Sequence, residues 1–129
     1  MRRKILVVDD DVEIVEMLSY ILKQAGYAIG TACNGIEALK KVRSLSPDLV
    51  LLDLMLPELD GFAVCETLRR HADTAKLPVI MLTAVSGELG RLSGLDCGAN
   101  DYITKPFSPK VLVLKVEALL NKQDSPRPV

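Results

Sequence analysis

The sequence has too few histidines and cysteines for most sites that are built on those residues. His71 is the only histidine among 129 residues, which excludes most zinc sites and any catalytic triad that uses histidine. Cys33, Cys65 and Cys97 form an odd set without a CxxC pair, so neither a disulfide framework nor a zinc knuckle is indicated. We interpret them as reduced thiols of a cytoplasmic protein.

A membrane segment and an excess of charge of either sign are also missing. No apolar run approaches the roughly 20 residues that a membrane-spanning helix requires. The basic start leads into an apolar run that stops at Asp9 without a cleavage site, so we do not expect a signal peptide. The 16 basic and 17 acidic residues give a net charge of -1, which offers no bulk attraction to nucleic acid or to a membrane. We expect neither to be a partner of this chain.

Short apolar runs alternate along the chain with helical patterns. Such runs predict five strands, at residues 5–8, 27–32, 49–52, 79–82 and 102–104. Five helices follow them in turn, with Asp11, Asn34 and Ser108 as predicted N-caps. The fourth helix is expected at 86–98, although each of its interior glycines costs about 1 kcal/mol relative to alanine.

This alternation predicts a parallel sheet with helices on both faces, because parallel strands need helical crossovers. At this length we expect a single α/β domain with a flavodoxin-like, doubly wound, five-stranded parallel sheet of order 2-1-3-4-5 and five helices. We assign residues 1–122 to that domain. Residues 123–129 include Ser-Pro-Arg-Pro and are interpreted as a tail or a truncated linker.

Polar residues follow the strands at one edge of the predicted sheet. Strands 1 and 3 are neighbours in this order and the winding reverses between them, which is where ligands bind in such folds. The residues that follow the strands there are Asp9, Asp10, Asp53, Thr83 and Lys105. Three close carboxylates repel one another unless a cation is bound, and all-oxygen ligands favour Mg²⁺. A metal, a lysine, a hydroxyl and a free carboxylate suit phosphoryl transfer, with Asp53 as the nucleophile.

Four segments, in this order and spacing, resemble the receiver domain of bacterial two-component response regulators. They are residues 5–11 (ILVVDDD), 53–61 (DLMLPELDG), 83–84 (TA) and 101–107 (DYITKPF). The resemblance extends over residues 4–121 and is strongest to the regulators with winged-helix DNA-binding domains. It implies phosphorelay signalling, with a sensor histidine kinase or a phosphotransfer protein as the partner.

The resemblance also implies the roles of residues at the acidic edge. Asp53 would accept the phosphoryl group from phosphohistidine. Asp10, Asp53 and the backbone carbonyl of Met55 would bind Mg²⁺, for which Mn²⁺ could substitute, and Asp9 would act through a water molecule. The contacts to the phosphoryl group would come from Lys105, Thr83 and the backbone of Ala84.

A switch and an output face are implied in the same way. Thr83 would move toward the phosphoryl group and Tyr102 would follow it inward, which would change the surface of the fourth helix, the fifth strand and the fifth helix. The peptide bond between Lys105 and Pro106 would be cis. In the DNA-binding group this face forms a homodimer through charged pairs. Arg91, Asp101 and Lys115 fit that pattern, whereas Val111 replaces an acid and leaves an apolar contact open.

Three alternatives are less well supported by the residues. A docking receiver that works without phosphorylation usually lacks an acid or the lysine, and this chain has all of them. A phosphohydrolase with an aspartyl-phosphate intermediate would need a second acid at the position of Met55. A flavodoxin would need a phosphate loop where Asp9, Asp10 and Asp11 stand. We therefore predict a phosphoacceptor switch rather than an enzyme with an external product.

Overall fold

The computed structural model describes residues 2–56, 59–83 and 98–124. Its sheet has five parallel strands in the order β2-β1-β3-β4-β5, which confirms the predicted architecture. The strands are β1 (Lys4–Val8), β2 (Ala28–Ala32), β3 (Leu49–Asp53), β4 (Val79–Thr83) and β5 (Asp101–Thr104).

Helices cover both faces of this sheet. Those in the described residues are α1 (Val12–Gln24), α2 (Gly35–Leu45), α3 (Gly61–Arg70) and α4 (Pro109–Asp124). The helix predicted at 86–98 lies almost wholly outside the described residues, so α4 is the helix predicted after Ser108. No helix in the described part of the chain is long and apolar enough to cross a membrane.

The three central strands are apolar on both sides because each side faces a layer of helices. Alternate residues of a strand point to opposite faces. Leu6 and Leu52 belong to the core beneath α2 and α3, whereas Val7 and Leu51 belong to the core beneath α1 and α4. Full burial of each such side chain contributes roughly 1.5–3 kcal/mol. The cores on both sides of the sheet therefore stabilise the central strands, whose carboxyl ends form one edge.

Side-chain caps begin the helices where the sequence predicts them. Asp11 accepts hydrogen bonds from the amides of Glu13 at 3.0 Å and Ile14 at 3.4 Å. Asn34 caps α2 through the amide of Glu37 at 2.8 Å. Such caps satisfy amide groups that have no partner within the helix, each contributing about 1 kcal/mol.

The last helix continues past the predicted domain boundary. The sequence places the end of the domain at residue 122, whereas α4 continues to Asp124. No proline or glycine lies between Pro109 and Asp124 in the sequence, so no residue there would end the helix at residue 122. The helix therefore extends two residues into the segment that we assigned to the tail.

Backbone hydrogen bonds continue past the carboxyl ends of the strands. The Leu54 amide donates to the Leu82 carbonyl at 2.9 Å, and the Lys105 amide donates to the Thr83 carbonyl at 2.7 Å. The residues just beyond β3 and β5 are thus held by β4. These bonds position the backbone at the edge of the sheet where several side chains converge.

Candidate functional site

Three carboxylates meet at the carboxyl edge of β1 and β3. Asp9 and Asp53 are buried, with 1% and 4% of their surface exposed, and Asp10 beside them is exposed. Each offers a carboxylate oxygen, and these oxygens all lie within 4.8 Å of one another. A set of oxygen ligands with one member open to solvent fits a hard divalent cation that retains part of its water shell. The expected convergence of these three residues is therefore present in the fold.

The ammonium of Lys105 bridges the two buried carboxylates. Its Nζ donates to Asp9 Oδ2 at 3.0 Å and lies 3.5 Å from Asp53 Oδ1. The side chain is 20% exposed, so most of it is buried with its charge inside the site. The peptide bond between Lys105 and Pro106 is cis, as the resemblance implies.

Burial and charge shift the ionisation of this cluster. Burial, together with the negative charge of Asp9, raises the pKa of Asp53 to about 6, although Lys105 and the Met55 amide act in the opposite direction. Burial alone would lower the pKa of Lys105, but the hydrogen bond to Asp9 and the charge of Asp53 outweigh it, so this pKa is raised. The site therefore combines one ammonium with three carboxyl groups. This excess of acidic groups attracts a cation.

Backbone amides from the adjoining loops also reach the carboxylates. The Met55 amide donates to Asp53 Oδ1 at 3.3 Å, and the Asp11 amide donates to Asp9 Oδ1 at 3.0 Å. The side chain of Met55 is 69% exposed and points away from the core. These amides orient the two buried carboxyl groups, and the sequence pattern did not indicate them.

The two predicted switch residues lie on neighbouring strands. Thr83 ends β4 and is buried, with 2% of its surface exposed. Tyr102 is half-buried in β5, opposite Met81 of β4, and packs against the core beneath α2 and α3. Ala84, predicted to contact the phosphoryl group, lies outside the described residues. Thr83 therefore stands at the acidic edge, with the strand of Tyr102 directly beside it.

Three of the four residues predicted for the output face, Asp101, Val111 and Lys115, lie in the described part of the chain. Lys115 of α4 donates to both carboxylate oxygens of Asp101, at 3.0 and 3.1 Å, so these two charges pair within the chain. Val111 and Leu114 are 42% and 56% exposed on α4. Arg91 lies outside the part of the chain that the structure describes.

Gly61 supports the site although sequence analysis did not single it out. A Cβ atom at this first residue of α3 would lie 2.4 Å from the Asp53 carbonyl oxygen and 2.9 Å from Leu54 Cα. Only a glycine lets the start of the helix approach β3 so closely. A glycine directly after Asp60, the N-cap of α3, was the signal that could have indicated it.

Comparisons with known proteins agree with this geometry. The family model "Response regulator receiver domain" matches residues 5–117. The alkaline phosphatase synthesis transcriptional regulatory protein PhoP of Bacillus subtilis is 47% identical over 128 residues, which are 99% of this chain and 52% of PhoP. The DNA-binding response regulator MtrA of Mycobacterium tuberculosis is 49% identical over 124 residues, 96% of this chain and 53% of MtrA. The chain thus spans about half the length of these relatives.

A solved structure extends the comparison to the fold. The putative response regulator from Chloroflexus aurantiacus superposes with a TM-score of 0.91 and 40% sequence identity, and the match covers 94% of this chain and 99% of that one. Almost the whole of that chain therefore has a counterpart here, in contrast to the longer regulatory proteins.

Proposed function

The chain belongs to the response regulator receiver domain family and is a unit of phosphorelay signalling, and from that premise we propose that Asp53 is its phosphoacceptor. One observation carries the proposal. Asp53 ends a central strand with its carboxylate beside two other carboxylates and 3.5 Å from the ammonium of Lys105. That arrangement pairs a nucleophile with groups that neutralise the charge of a transferred phosphoryl group.

The donor we propose is the phosphohistidine of a sensor histidine kinase or of a phosphotransfer protein. A carboxylate oxygen of Asp53 attacks phosphorus, and an oxygen–phosphorus bond forms while the phosphorus–nitrogen bond breaks. The imidazole nitrogen leaves with the bonding electrons and takes up a proton, which regenerates neutral histidine on the donor. The product is an acyl phosphate on Asp53. Because the attack requires the ionised carboxylate, the positive charge of Lys105 supports it by opposing the rise in the pKa of Asp53.

The proposed cofactor is Mg²⁺, with Mn²⁺ as a substitute. Asp10 and Asp53 would hold it through carboxylate oxygens, Met55 through its backbone carbonyl, and Asp9 through a water molecule. When bound, the ion neutralises charge on the oxygens of the transferred group. The support lies in the donor set, which is three close carboxylates without a nitrogen or sulfur ligand, the chemistry that Mg²⁺ prefers.

After transfer, Lys105 and Thr83 are the residues we assign to the phosphoryl oxygens. Lys105 binds Asp9 more closely than Asp53, and the new phosphoryl oxygens on Asp53 offer its ammonium further acceptors. Thr83 reaches them from the neighbouring strand, and Tyr102 follows. The stored signal is a population shift between two states, biased by these contacts. We propose no external product, so the chain acts as a switch and not as an enzyme.

The output we propose is control of transcription through a joined DNA-binding domain. This proposal rests on the names of two relatives, the transcriptional regulatory protein PhoP and the DNA-binding response regulator MtrA.

The face formed by β5 and α4 would carry the signal by forming the contact of a homodimer. Because Asp101 and Lys115 already pair within the chain, we expect exposed Leu114 to contribute more. Sedimentation of the protein with beryllofluoride, a phosphoryl mimic, tests this contact. The wild type should dimerise and Leu114→Gln should not; a Leu114→Gln variant that still dimerises would contradict the role of Leu114.

Intact-mass analysis after incubation with acetyl phosphate tests the phosphoacceptor. The wild type should gain one phosphoryl group in the presence of Mg²⁺ and none with EDTA. Asp53→Asn should gain none. Asp60→Asn is the matched control, because Asp60 is an exposed cap of α3 and asparagine caps equally well, so this variant should be labelled like the wild type. A wild type without label under any donor would favour the docking receiver that works without phosphorylation.

A further inference from the structure

The first residue of α2 lies unusually close to the loop between β3 and α3. A Cβ atom on Gly35 would lie 2.2 Å from the backbone oxygen of Leu59 and 2.9 Å from Leu59 Cβ. It would also lie 2.8 Å from Val64 Cγ2. Real carbon contacts are about 3.5–4.0 Å. Because the nearest atom belongs to the backbone, it cannot rotate away, and any side chain at Gly35 would have to displace the loop.

The two described ends of that loop are joined by a backbone hydrogen bond, which links the side of Leu59 to the side of Met55. The Gly61 amide donates to the Leu54 carbonyl at 3.1 Å, and the Leu54 amide is held by the Leu82 carbonyl at 2.9 Å. Leu59 lies on the side of the loop that enters α3. Met55 lies on the side that leaves β3, and its amide donates to Asp53 Oδ1. The contact with Gly35 is therefore a support for the same loop that orients Asp53.

Gly30 is a matched control for crowding that affects only stability. A Cβ atom on Gly30 in β2 would lie 2.5 Å from Leu45 Cδ1, so both glycines are in close contact with a neighbour. The atom nearest to Gly30 is the end of the Leu45 side chain, which can change rotamer. None of the nearest atoms belongs to a residue of the proposed site. Crowding at Gly30 would thus lower stability without moving the site.

We propose that Gly35 is a positioning residue for the proposed metal site. Its missing side chain lets α2 support the loop at Leu59, and this support holds Met55 and Asp53 in the positions in which the Asp53 carboxylate lies beside that of Asp10. The inference rests on the proposed function, since it assigns to Gly35 an effect on the affinity for Mg²⁺.

The expected size of the effect follows from the crowding. A methyl group at Gly35 would require a shift of about 1.3 Å or more to restore a normal contact with the Leu59 oxygen. Loss of a group that orients metal ligands typically weakens metal affinity about 10- to 100-fold. We expect Gly35→Ala to lower the affinity for Mg²⁺ by a factor in that range.

The test is a calorimetric Mg²⁺ titration of the whole chain, combined with urea unfolding of each variant. Gly35→Ala should bind Mg²⁺ about 10- to 100-fold more weakly than the wild type. Gly30→Ala should lose stability and keep the wild-type affinity. Leu59→Gly changes the same contact from the side of the loop and adds no atom to α2. It should also bind Mg²⁺ more weakly than the wild type. This variant tests the positioning role if Gly35→Ala does not fold.

The outcomes separate this inference from the proposed function. Wild-type Mg²⁺ affinity in the folded Gly35 or Leu59 variant would overturn the positioning role and leave the metal site intact. Equal weakening in Gly30→Ala would also overturn it, because crowding anywhere in the fold would then have the same effect. A wild type that binds no Mg²⁺ would overturn the metal site itself, and the positioning role with it.

Discussion

Replacing Asp53 with asparagine should make the fold more stable at neutral pH. The carboxyl group has a pKa raised from 3.8 to about 6, because it is buried next to the charge of Asp9. An acid whose pKa is higher in the folded chain prefers to be protonated there. The folded chain therefore pays a cost when the group ionises, and asparagine, which cannot ionise, removes that cost.

The magnitude and its pH window follow from the same pKa. A difference of about two pKa units corresponds to about 3 kcal/mol, and water at the exposed Asp10 side screens part of it, so we expect about 1–3 kcal/mol. Below pH 3.8 the group is protonated in both the folded and the unfolded chain, and the two proteins should not differ on this account. The advantage of the variant should appear as the pH rises from 4 and be complete above about 7.

Urea unfolding of both proteins in EDTA at pH 4, 6 and 8 measures this difference. The free energy of unfolding of Asp53→Asn minus that of the wild type should increase across the series. Asp60→Asn serves as the control, and its difference from the wild type should stay within about 0.5 kcal/mol at each pH. A variant that is no more stable than the wild type at pH 8, or that is stabilised equally at pH 4, would refute the reasoning.

Three further substitutions follow from single contacts. Lys105→Met removes the cation beside Asp9 and Asp53 and should slow labelling by acetyl phosphate about 100-fold or more, as followed by intact mass; labelling at the wild-type rate would contradict this. Gly61→Ala should lower the free energy of unfolding in urea by about 1–3 kcal/mol, because its Cβ would overlap the Asp53 carbonyl; an unchanged value would mean that the helix start can move freely. Arg69→Met should cost about 1–3 kcal/mol in the same assay, since Arg69 donates to the Gly98 carbonyl and to Asn100 Oδ1, both at 2.9 Å; stability equal to the wild type would argue against those bonds.

The fold could be predicted because its central strands are short, apolar and separated by helical patterns. Runs such as 5–8 and 49–52 are apolar without interruption and only four residues long, which favours a strand covered on both sides. Once the sheet is parallel, topology alone brings Asp9, Asp53 and Lys105 to one edge, although they are far apart in the chain. The likeness to receiver domains was predicted from the same residues, and the family match confirms it.

Finer features depended on distances that no local pattern encodes. Whether Lys105 lies closer to Asp9 or to Asp53 is decided by tenths of an ångström. The crowding of Gly35 against Leu59 joins the start of α2 to the loop before α3, and an ordinary helix-starting glycine would look the same in sequence. The pairing of Asp101 with Lys115 within the chain was equally hidden, because the same charges would also suit a contact between two chains.

Locating the phosphoryl group on the chain tests the central claim most directly. Borohydride reduces an acyl phosphate on aspartate to homoserine, so reduction of the phosphorylated protein followed by peptide mass mapping marks the acceptor residue. The proposed mechanism predicts homoserine at position 53 and at no other acid of the site. Homoserine at position 9 or 10, with Asp53 unmodified, would contradict it.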